Sequence, residues 1–352
     1  FRYLAYSNIQ FKQLKNIQKK LKLYAAKPDS VNLFNKQITA LNLDIVEYKE
    51  SIIEAYPKSF ISQLFLAMKS PDIEIMAKED TVKAFQYLKK HYWDYVSLTD
   101  DRLIRTPVFH NKLDYYFSSI VHPAPDSIMQ EVDAFLVRLN EGSEMYKHSL
   151  WYLTLKYDQS NRMGYDAILV HFSDHYYTKG KAAWLNSTVL KNIIDEAQKR
   201  RYSLIGQAAP NMVMQDLQSK PISMYDIDKN FTLLYFWDPN CGHCKEETPK
   251  LKTFYDEHSK TLYLEVFAVC AYTNLKAMKS YIFENKLKWI NVNGPRSYNQ
   301  NFHELYNVYS TPSIFILDKN KTIIAKQIDS DQIREFLNNY QITKLETNEI
   351  QF

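Results

Sequence analysis

Three cysteines stand in this 352-residue chain, and none precedes position 241. Cys241 and Cys244 flank Gly242 and His243, and the pair follows closely on an apolar and aromatic run at 231–237, Phe-Thr-Leu-Leu-Tyr-Phe-Trp. That run has the length and composition of a strand buried on both faces. Beyond it the chain turns polar through Asp238, Pro239 and Asn240 and then takes a helical pattern. A Cys-x-x-Cys at a strand-to-helix junction can do thiol-disulfide chemistry. The first sulfur sits at a helix N-terminus, where unpaired N–H groups and the helix dipole favour a thiolate. The second lies roughly one turn on, within reach for closing a disulfide with the first.

Paired cysteines also bind metals. A closed zinc site needs about four ligands, and no second Cys-x-x-Cys exists, so no metal is expected. A copper site of Cys241, Cys244 and a histidine is the alternative, and would make the protein a copper chaperone. Cys270 falls near the end of a later strand pattern and reads as an inert buried thiol, with a third redox role as its alternative.

The elements that must position the pair follow from the residues around it. The pattern predicts strands at 261–271, 288–293 and 313–317, helices at 274–284 and 300–307, and a turn at 318–320. An antiparallel partner strand at 321–327 and a closing helix at 331–340 complete a β-α-β, α-β-β-α order and hence a mixed central sheet flanked by helices.

These residues resemble the thioredoxin superfamily, in particular bacterial envelope thiol-disulfide proteins of the TlpA/ResA type, over about 203–340. Gly206-Gln207-Ala208-Ala209-Pro210 is similar to the opening segment of that branch, which an added hairpin follows. Trp237 holds the aromatic position four before the first cysteine, Pro249 matches the helix-kinking proline, and Thr311-Pro312 matches the cis-proline facing the disulfide. The 67 residues between Cys244 and Pro312 leave room for the branch's extra helix and strand.

The resemblance implies Cys241 as the attacking sulfur, Cys244 as the resolving one, and Glu247 as the acid beneath them that accepts or relays a proton. It also implies that Trp237, Gly242, His243, Thr311 and Pro312 shape the site. No cofactor is expected beyond a redox-active Cys241–Cys244 disulfide. The implied partners are cysteine-containing envelope proteins and an upstream membrane electron donor, in the periplasm or tethered in the envelope of a Gram-negative bacterium.

Departures matter as well. Tyr235 replaces the buried Asp of thioredoxin, Asn240 replaces the usual Trp before the first cysteine, and Gly242-His243 resembles the dipeptide of protein disulfide isomerase rather than the Gly-Pro of thioredoxin. The branch therefore points to a reductase, and the dipeptide to an isomerase or oxidase.

The front of the chain is different material. It contains no glycine before Gly142, and apolar residues recur at helical steps over 8–26 and 31–56, with Ser30 expected as a cap. Short connectors then divide eight to ten helices up to about 203. Without a fixed repeat period these are not assigned to a repeat family. The expected organisation is a helical segment 1–75, a helical domain 76–203, a thioredoxin-like domain 204–345 and a tail 346–352. The front resembles a domain of unknown function found ahead of TlpA-like modules, and a recognition or assembly role for it is the rival reading.

His91, His110, His122, His148, His171 and His175 lack a metalloprotease pattern and are expected as surface or packed residues, as are the aromatic stretches 91–95 and 115–117. The net charge of +4 is too balanced for a nucleic-acid binder, yet residues 1–27 hold seven basic residues and no acid. This basic stretch reads as the solvated face of a helix, with a membrane surface or an acidic partner as the alternative. No run of 18 apolar residues is present to cross a membrane. The chain opens at Phe1 without a Met, signal or lipid-attachment cysteine, so a mature or truncated chain is expected.

Overall fold

The computed structural model describes residues 2–299 and 301–349. Seven strands form one mixed sheet: β1 (Val213–Asp216), β2 (Pro221–Ser223), β3 (Phe231–Trp237), β4 (Leu264–Cys270), β5 (Ile290–Ser297), β6 (Ser313–Leu317) and β7 (Ile323–Lys326). Their spatial order is β2-β1-β5-β4-β3-β6-β7. β3 lies parallel to β4 and β4 to β5, while β6 runs antiparallel to β3. Every residue of β3 is buried, as a doubly covered strand requires. One face sets Leu233, Tyr235 and Trp237 against Cys244, Leu251 and Met278, and the other sets Leu234 and Phe236 against Phe302 and Tyr306. This helical front joined to an α/β module is the expected fold class.

Several edges differ from expectation for physical reasons. β4 starts at Leu264 because the preceding residues form a turn with Tyr263 at φ 49°, and the Tyr263 carbonyl accepts the Asn230 N–H. β5 runs on to Ser297 because the β1–β2 hairpin pairs along it, matching Gln215 with Asn293 and Met214 with Ser297. The helix expected at 300–307 is Phe302–Tyr306, ended by Asn307 in the left-handed region at φ 52°; residue 300 lies outside the described residues. The closing helix runs Ser330–Glu349, since nothing after Tyr340 breaks it, so 346–349 of the expected tail are helical and 350–352 lie outside the described residues.

Ten α-helices lie between Arg2 and Arg201 among the described residues. The first spans Arg2–Leu23 and the second Pro28–Ala55. Ser30 is not the second helix's cap. Lys27 is, because Pro28 sits comfortably in the first turn, where its ring presets φ and its missing N–H costs nothing. Ser59, Asp80 and Asn186 do cap later helices through their side chains. Tyr92 and Trp93 are core residues, with Trp93 centred 4.8 Å from Phe135. His171 and His175 stack at 4.2 Å, and no metal-ligating cluster exists among the described residues.

Packing divides the chain into two compact units, Phe1–Pro123 with Gln130–Ser149, and Ala124–Met129 with Leu150–Phe352. The boundaries expected at 75/76 and 203/204 rest on sequence pattern, whereas these units rest on contacts. In the second unit Lys326 of β7, 6% exposed, forms an ion pair with Asp166 and donates to the Ser203 carbonyl at 2.9 Å.

Candidate active site

β3 delivers the chain to the site and a short Asp238 turn aims it. The Asp238 Oδ1 accepts the Asn240 N–H at 2.7 Å, and the Asp238 carbonyl accepts the Cys241 N–H at 3.2 Å. Cys241 is thereby the N-cap of the helix Gly242–His258, with its sulfur at the end where N–H groups lack helical partners. Cys244 lies one turn in and is fully buried, while Cys241 is half-buried. All three cysteines are free thiols.

Two contacts separate the sulfurs chemically. The Cys241 thiol donates to the Thr311 carbonyl at 3.2 Å, and the Thr311–Pro312 peptide is cis. The Cys244 sulfur accepts the Asp238 N–H at 3.5 Å. Burial pushes the Cys241 pKa up, but hydrogen bonds from the Cys244 N–H, the Cys244 and Thr311 side chains and the His243 N–H outweigh it and hold the thiol below its ordinary value. Burial dominates at Cys244 and pushes it up to about 12. The outer sulfur is the readier thiolate, and the inner one holds its proton.

Glu247 is buried one turn beyond Cys244. One of its oxygens accepts the Ser330 N–H at 2.6 Å, and the other lies 4.0 Å from Lys250 Nζ. It lines a cavity of about 240 Å³ together with Pro312, Ser313 and Gln327, so the acid and the proline loop share one space. Trp237 is sealed beneath, its ring 5.1 Å from Tyr281. His243 is exposed. A Cβ added at Gly242 meets nothing within 4 Å, so the backbone there does not require glycine. Gly294 is the constrained one, since a Cβ would fall 2.9 Å from the Cys270 carbonyl and 2.7 Å from Phe302.

The structure thus gathers Cys241, Cys244 and Thr311 at one point, sets Glu247 and Pro312 on an adjoining cavity, and leaves His243 facing solvent. Cys270 pairs with Trp237 across β3 and β4, fully buried, its thiol 3.9 Å from the Tyr272 carbonyl. Burial pushes it up to about 12, an unreactive state.

Three further residues contribute, and of these the sequence reading weighed only Tyr235, as the replacement of thioredoxin's Asp. Asp238 shapes the turn and supplies an N–H to sulfur, and its Asp-x-Asn spacing is the signal for such a turn. The Tyr235 hydroxyl pairs with Thr248 at 2.8 Å, giving the position of thioredoxin's Asp a neutral phenol whose pKa burial raises. Ser330, which binds Glu247 through its backbone, carries no side-chain signal at all.

Comparison with known proteins adds five findings. Residues 205–326 match the AhpC/TSA family, and residues 26–207 match the domain of unknown function DUF5106. The thiol-disulfide oxidoreductase ResA of Bacillus thuringiensis is 30% identical over 139 residues, which cover 39% of this chain and 76% of ResA. A thioredoxin-like protein of Haemophilus influenzae is 27% identical over 143 residues, 40% of this chain and 80% of its own length. Among solved structures, a thioredoxin-like protein from Bacteroides caccae shares the fold over 77% of this chain and 97% of its own, at 20% identity and a TM-score of 0.58.

Proposed function

The chain belongs to the DUF5106 family and, through its sheet module, to the ResA-type thiol-disulfide oxidoreductases, and from that premise we propose that it reduces disulfides in envelope proteins through Cys241 and Cys244. The observation that carries this reading is the asymmetry of the pair, one sulfur half-exposed and inclined to ionise, the other buried and protonated.

The Cys241 thiolate attacks one sulfur of a substrate disulfide, forming a mixed disulfide and expelling the other substrate sulfur as a thiolate. Cys244 then gives up its proton, with Glu247 as acceptor or relay, and its thiolate attacks the Cys241 sulfur. The second substrate thiol leaves, and Cys241–Cys244 closes as a disulfide. Two electrons have passed to the substrate, and a membrane-bound dithiol donor restores the pair. No cofactor enters the cycle. The Thr311–Pro312 loop offers backbone to an extended substrate as an added strand would.

The test is trapping. Cys244→Ser accumulates mixed disulfides visible on a non-reducing gel, and Cys241→Ser does not. The reverse pattern would exchange the two roles. A second reading, isomerase or oxidase, rests on exposed His243 between the cysteines, since a histidine there stabilises the thiolate and makes the disulfide more oxidising. The Cys241–Cys244 potential measured against glutathione decides: a value near thioredoxin's supports the reductase, one near disulfide isomerase's the alternative. A copper role predicts that Cu(I) binds the reduced protein more tightly than the variant lacking both cysteines.

A further inference from the structure

The basic opening stretch plays no part in the redox site, and its geometry is specific. One face of the helix Arg2–Leu23 packs on the helix Pro28–Ala55: the Tyr6 ring stacks on Tyr48 at 3.9 Å, and the Tyr6 hydroxyl and Gln10 amide both donate to Asp44 at 2.6 Å. The other face carries Leu4, Phe11, Lys12, Lys15, Lys19 and Lys22, which recur at steps of three, four and seven and so share one side. All are exposed, Leu4 at 62% and Phe11 at 64%, and Leu23, at 77%, extends the strip. Among the described residues none of these four lysines is paired with a carboxylate, and the sequence has no acid before Asp29.

We propose that this face docks the protein on a membrane surface rich in anionic lipid. Four unpaired ammonium groups on one strip are drawn to anionic headgroups, and lysine stems let those charges sit at headgroup level while their methylenes stay in apolar contact. Leu4, Phe11 and Leu23 supply what charge alone does not, side chains that gain by leaving water for the acyl boundary. A nucleic acid would reward the lysines and leave Leu4 and Leu23 uncompensated. Both helix faces then have an occupant, Tyr48 and Asp44 on one side and lipid on the other.

The test uses the full chain with mixed phosphatidylglycerol–phosphatidylcholine vesicles, pure phosphatidylcholine vesicles and polyglutamate as probes. The protein co-sediments with the anionic vesicles, much less with the neutral ones, and added salt releases it. Replacing Lys12, Lys15, Lys19 and Lys22 together by Glu lowers vesicle affinity by at least about tenfold. Phe11→Ser lowers it by roughly threefold or more without changing the salt dependence. Cys241→Ser binds vesicles as the parent does, so the outcome does not depend on the redox reading. Equal binding to neutral and anionic vesicles, an unaffected four-lysine variant, or polyglutamate binding as tight as vesicle binding and indifferent to Phe11→Ser would each overturn the proposal, the last in favour of an acidic protein.

Discussion

Strand β3 and the helix Arg2–Leu23 are both rich in aromatic and aliphatic residues, and their surroundings could hardly differ more. All seven residues of β3 are buried, whereas Gln10 is the one buried residue described in the helix. In β3 each side chain meets neighbours on every side, so residue type, face and function are bound together. In the helix one face alone is held and the other answers only to solvent and partners. Dense contact makes a sequence readable as chemistry, and sparse contact leaves it readable as surface.

The contrast can be broken or sharpened by experiment. Trp237→Ala removes a fully buried indole beneath the cysteines and should cost about 3–5 kcal/mol in denaturant unfolding; a loss below about 1 kcal/mol would show that β3 tolerates emptiness as the front helix does. Glu247→Gln should slow the resolving step by about a hundredfold in stopped-flow reduction of a mixed disulfide, with the Cys241 attack unaltered. Equal slowing of both steps would make Glu247 a structural acid only.

Protonation sharpens the comparison within the site. Alkylation of Cys241 should rise with a midpoint below the ordinary thiol value of 9.0, and Cys244 in a Cys241→Ser background should react only above that value, because its burial remains while the raising contacts with Cys241 are gone. The sign for stability follows, since a pKa raised on folding means that the folded state holds its proton more tightly. The contribution of Cys244 to stability is complete below pH 9.0 and is lost as pH climbs towards about 12. The smallest effect belongs to the front, where Phe11→Ala should change stability by less than about 0.5 kcal/mol, measured by thermal unfolding.

How much was legible in the sequence tracks this division. β3 and β6 lie where the apolar runs 231–237 and 313–317 place them, because both runs are covered on two faces and bounded by polar turns. The cysteine pair and the facing Thr311 were visible as residue types. Contacts made by backbone groups were not: the Asp238 N–H on Cys244 and the Ser330 N–H on Glu247 could come from almost any side chain. The extension of β5 depends on a hairpin some eighty residues earlier, beyond any local pattern. In the front, helices were evident from periodicity, but Pro28 moved a helix start from Ser30, a choice between two acceptable caps.

Lys326 carries a practical consequence for anyone dividing this protein. Its carboxylate partner, Asp166, stands 160 positions earlier, and its carbonyl partner belongs to Ser203, both on the front side of the family boundary near residue 205. A fragment cut there would keep the whole sheet and both active cysteines, yet remove both groups that hold the Lys326 ammonium together with the chain that covers it. In its packing, this redox module therefore reaches ahead of its own family boundary, to the helix that supplies Asp166.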